Sequence, residues 1–62
     1  MQITLKAARV NAGYTLEQVA QKTSYDRKTL SNWEKGVNVP RADKLLRLCA
    51  LYEIPQECIK LK

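Results

Sequence analysis

The sequence predicts an all-α domain of five short helices. Three observations carry this. Apolar residues recur at the three- and four-residue spacing of a helix face in nearly every segment. Gly13, Gly36, Pro40 and Pro55 divide the chain into pieces of helical length and supply stops and starts. The runs that alternate apolar and polar residues are short and lack hairpin signals, so no strand is expected.

The first helix is expected over about Ile3 to Ala12, because Leu5, Ala8, Arg9 and Ala12 fall at helical spacing. Gly13 stops it by taking a positive φ without a Cβ penalty. The second helix starts after Thr15, which with Gln18 matches a capping box; Val19 and Ala20 face inward. The third runs from about Arg27 to Lys35. Asp26 is its expected N-cap, Tyr25 a staple before the cap, and Leu30 and Trp33 its buried side. The fourth spans about Arg41 to Tyr52, after Pro40. Asp43 in its first turn suits the helix dipole, and Leu45, Leu46, Leu48, Cys49 and Tyr52 give a broad apolar face. Pro55 opens a last short helix, about Pro55 to Ile59.

Size and composition narrow the function. Sixty-two residues make a single domain, residues 1–62. A chain this short buries only about 60% of its extended surface. It therefore relies on helix packing, disulfides, a metal or self-association. The chain has no His and two Cys, too few for a closed tetrahedral metal site, so no metal or other cofactor is expected. Cys49 falls on the apolar face of a helix and is read as a small buried hydrophobe; both thiols are expected to be reduced. The net charge of +5, from 11 Lys and Arg against 6 Asp and Glu, favours an anionic partner. The first fifteen residues are too polar for a signal peptide, and no apolar run approaches the roughly 18 residues of a membrane span. A soluble, cytoplasmic protein without a membrane role is expected. An enzyme is not. There is no nucleophile beside a base and no phosphate-binding glycine loop, and the domain is small for an enclosed pocket, so no small-molecule ligand is expected.

The segment from about residue 16 to 35 has the layout of a helix-turn-helix, in which one helix braces and the next enters the DNA major groove. Arg27, Lys28, Ser31 and Asn32 lie on the polar side of the second of these helices. Such motifs read bases mainly with the first residues of that helix. Arg27 and Lys28 can donate to guanine O6 and N7, and the Asn32 amide can pair with adenine N6 and N7. Lys28 and Asn32, four residues apart, share one helical face. Ser31 can reach bases or the sugar-phosphate. A solvated basic face is the alternative for the charged pair, and an unpartnered surface amide for Asn32. Trp33 is read as core rather than as a base-stacking platform.

The chain resembles the lambda-repressor-like (Xre-type) helix-turn-helix family over about residues 5 to 59. The landmarks are Arg9-x-x-x-Gly13, Thr15-x-x-Gln18-Val19-Ala20, Thr29-Leu30-Ser31-Asn32-Trp33-Glu34-x-Gly36, Gly36-x-x-x-Pro40 and the run Leu48 to Pro55. Singly each is weak; in this order they are specific. Three positions depart from the pattern. Ser24 stands where the turn usually has Gly, Leu16 where a polar Gln often helps to hold DNA, and Glu53 where Gly often follows helix 4.

The resemblance implies further roles. It places Arg27 and Lys28 at reading positions. It directs the N-terminus of the second helix, at Thr15 and the Leu16 backbone, toward a phosphate, where free N–H groups and the dipole favour an anion. Thr29, Lys35 and Asn38 match phosphate-contacting positions, and Arg41 is a nearby candidate. These contacts would set register without reading sequence. Arg9 and Glu34 match an internal ion pair. Pro55, Gln56, Cys58 and Ile59 match a dimer contact, so a weak homodimer formed on double-stranded DNA is expected; alternatively Cys58 and Ile59 simply finish the core. The leading expectation is a sequence-specific transcriptional regulator, a phage- or mobile-element-type repressor of the Cro kind. The alternative is a protein-interaction module of the same fold, a small controller or antitoxin-like partner with weak DNA binding.

Overall fold

A computed structural model describes residues 2–60. The elements run β1 (Ile3–Thr4), α1 (Leu5–Asn11), α2 (Leu16–Thr23), α3 (Arg27–Lys35), α4 (Ala42–Tyr52), a 3-10 turn (Gln56–Cys58) and β2 (Ile59–Lys60). The domain is mostly helical, but it has four α-helices among the described residues rather than five.

Two local causes account for the difference. Thr4 is extended (φ −73°, ψ 161°) and its hydroxyl accepts the Ala7 N–H, so it caps α1 instead of joining it. After Pro55, only three residues turn before Ile59 returns to extended backbone (φ −96°, ψ 127°). Ile3 and Thr4 then pair with Ile59 and Lys60 as a parallel two-stranded ladder. The expectation of no strand fails here. Two residues per strand are too few to show alternation, and the pairing joins the two ends of the described chain.

The core gathers one stripe from each helix: Leu5 and Ala8, Val19, Leu30 and Trp33, and Leu45, Leu48, Cys49 and Tyr52, closed by Ile59. Residues 45, 48, 49 and 52 follow the spacing of a single helix face. Leu46 lies off that stripe and is 53% exposed, which corrects the broader face expected from the sequence. Both cysteines are free, and Cys49 is buried, which pushes its thiol pKa up.

The ends of α1, α3 and α4 follow one device. Tyr14 N–H donates to Arg9 O, Val37 N–H to Asn32 O, and Ile54 N–H to Cys49 O, each just past a left-handed residue. Those residues are Gly13, Gly36 and Glu53. At Gly36 an added Cβ would meet nothing, so the glycine serves the backbone angle alone.

Candidate nucleic-acid interface

The candidate interface is built on the N-terminal turns of α2 and α3. At α2, Gln18 N–H donates to Thr15 Oγ1 (3.1 Å) and Thr15 N–H donates to Gln18 Oε1 (2.8 Å), a complete capping box. Four N–H groups at a helix start lack intrahelical partners. The capping box satisfies two of them and leaves those of Leu16 and Glu17 for solvent or a ligand.

The turn into α3 is fixed by a buried threonine. Thr23 Oγ1 donates to Val19 O (2.7 Å) and accepts the Tyr25 N–H (3.3 Å). That leaves Ser24 in the left-handed region at φ 62°, the conformation for which glycine is the usual residue. Tyr25 then packs its ring edgewise on Trp33, with centroids 5.8 Å apart. Lys44 and Arg47 of α4 cover the Tyr25 ring at 5.7 and 5.8 Å. Asp26 precedes α3 as its N-cap but makes no side-chain capping bond.

These constraints bring the first turns of the two helices together around an open groove of about 560 Å³. Arg27, Lys28 and Ser31 line one wall, and Thr15, Leu16 and Glu17 the other. Arg27 and Lys28 are exposed, and Ser31 is half-buried. Asn32 and Thr29 are half-buried and lie outside that groove, as do the exposed Asn38 and Arg41 beyond α3. Lys35 is exposed at the other end of α3.

Behind the groove, Arg9 grips Glu34. Arg9 Nε donates to Glu34 Oε2 at 2.8 Å and Nη2 to Oε1 at 3.3 Å, while Nη1 donates to the Tyr14 carbonyl at 2.9 Å. The two side chains are only 11% and 10% exposed. This fork ties α1 to α3.

Two residues not singled out from the sequence also line these surfaces. Glu17 lines the groove; its position in the first turn of α2 was the available signal. Lys6 lies one turn before Arg9 on the same face of α1. Of the residues matched to a dimer contact, Pro55 and Gln56 are exposed and Cys58 is half-buried. Ile59 is 6% exposed within its own chain and completes the core, so it offers no free surface.

Two short helices joined by a pinned turn, with the leading side chains of the second on an open groove, define a helix-turn-helix domain. A family model described as a helix-turn-helix domain matches residues 3–59, and the chain belongs to that family. It is similar to the HTH-type transcriptional regulator ImmR of Bacillus subtilis (strain 168), with 42% identity over 50 residues, 81% of this chain and 39% of that protein. The chain thus spans about two fifths of that relative's length. No solved structure matches. The lambda-repressor-like, Xre-type helix-turn-helix resemblance read from the motifs holds.

Proposed function

We propose that this chain is a sequence-specific, double-stranded-DNA-binding regulator that acts by occupying an operator, in the manner of a Cro-type repressor. The observation that supports it best is the groove in which Arg27, Lys28 and Ser31 face the free N–H groups at the start of α2. A phosphate seated at those N–H groups would hold the backbone, with α3 entering the major groove beside it.

In this reading Arg27, Lys28, Ser31 and Asn32 meet base edges. Thr15, the Leu16 backbone, Thr29, Lys35, Asn38 and Arg41 meet the sugar-phosphate. Glu17 adds an acceptor suited to cytosine N4. Two copies would bind half-sites one helical turn apart through a weak contact at Pro55, Gln56 and Cys58. Such a regulator works in the cytoplasm on DNA and needs no cofactor.

Selection of duplexes from a random library, followed by anisotropy titration, tests this. The wild type is expected to enrich one sequence. The Lys28→Ala and Asn32→Ala changes should each cost about 1–3 kcal/mol and relax the preference at one base position. A double variant that binds the selected duplex unchanged would overturn the assignment of the reading face. Wild-type protein that enriches nothing would shift the weight to a protein partner.

A further inference from the structure

The reading groove does not end at Ser31. A second groove of about 390 Å³ shares Leu16 and Ser31 with it and continues between α1 and α3 past Lys6 and Lys35. A third, of about 110 Å³, shares Glu34 and Lys35 with the second and reaches Thr4 and Lys60. The three grooves adjoin through these shared residues, from the first turn of α3 to the strand pair.

Past Ser31, in the second and third grooves, the charge is one-sided. The Glu34 carboxylate on their walls is already engaged by Arg9. Lys6, Lys35 and Lys60 are exposed, and no ion pair to any of them occurs among the described residues. Lys6 sits in the first turn of α1, which holds no acidic residue. The helix dipole disfavours a cation there, so helix stability does not account for it. Lys60 is set by the ladder, where it pairs with Thr4 across the two strands. Three unpaired ammonium groups strung along a groove suit a polyanion with regularly spaced charges. The second groove adjoins the reading groove at Leu16 and Ser31, so the fitting polyanion is the backbone of the same duplex.

We propose that Lys6, Lys35 and Lys60 form a basic track that carries the DNA backbone beyond the bases read by α3. Lys6 and Lys60 are then phosphate contacts supplied by α1 and by the strand pair, outside the helix-turn-helix itself. This inference rests on the DNA-binding reading above.

The test uses the duplex selected by the wild-type protein and measures Kd over a salt series. For Lys6→Gln/Lys60→Gln, the slope of log Kd against log salt should fall in magnitude by about 2, roughly one for each lost phosphate contact. Preference among base variants should stay unchanged. Lys6→Arg/Lys60→Arg should restore the slope. Lys22→Gln, whose ammonium lies over the Tyr14 ring 5.6 Å from its centroid, should keep the wild-type slope. If the glutamine double variant keeps the wild-type slope on a duplex the wild type selects, the track is overturned and the reading of α3 stands. The track is likewise overturned if the glutamine variant loses slope but the arginine variant fails to restore it, since the loss then reflects the fold rather than charge. If the wild type selects no duplex and binds DNA without salt dependence, the track and the DNA-binding reading fall together.

Discussion

Single residues set both the strength and the strain of this domain. Arg9 and Glu34 form a nearly buried, forked pair, and removing one partner would leave a charge with little water around it. Glu34→Gln is expected to cost about 3 kcal/mol in denaturant unfolding, and Arg9→Met/Glu34→Leu to recover much of that loss. A double variant no more stable than the single would show that the pair itself, rather than the orphaned charge, holds α1 to α3. Ser24 and Glu53 are non-glycine residues at φ 62° and 55°. A left-handed L residue costs about 1–2 kcal/mol, and glycine returns about 0.5–1 of that as unfolded-chain freedom. Ser24→Gly and Glu53→Gly should therefore each stabilise by about 0.5–1 kcal/mol, read as a raised melting temperature. Both positions were visible in the sequence as departures from a family glycine. The angle itself was not, since it follows from hydrogen bonds that close each turn.

At the scale of elements, helix starts separate into those with a side-chain cap and those without. Thr15 and Gln18 form a reciprocal box at α2, whereas Asp26 at α3 makes no capping bond. Thr15→Ala is expected to cost about 1 kcal/mol and Asp26→Ala less than about 0.5, measured by chemical denaturation. Equal costs would mean that Asp26 acts through the α3 dipole as strongly as Thr15 does through its hydrogen bond. The helix-turn-helix was the most legible part of the chain: a capping box, a staple residue and a terminal glycine all fall within residues that act on one another locally. The expected fifth helix was the least legible. Pro55 marks a helix start as readily as a 3-10 turn, and the outcome depends on Ile59 finding Ile3 far away in the chain.

At the scale of the molecule, the strand pair, the ion pair and the aromatic cluster join α1, α3 and α4 into one body. Tyr52 senses that assembly. Burial, then the nearby Glu34 carboxylate, pushes its phenol up from 10 to about 12. A folded-state pKa above the unfolded one means the stabilisation is complete below about pH 10 and is lost as pH rises through about 12. The melting temperature of the wild type should therefore fall more steeply over that range than that of Tyr52→Phe; parallel curves would place the Tyr52 hydroxyl in water. The sequence by itself determined the helical class, the span of α2 and α3, most of the core stripe and the basic residues at the head of α3. Each of these depends on spacing or capping within a few residues. Only the tertiary structure decided the strand pair, the exposure of Leu46, the withdrawal of Ile59 into the core, and the adjoining grooves that Glu17 and Lys6 line. Those depend on residues from separate elements meeting in space, and nothing in the spacing along one helix records which partner it will meet.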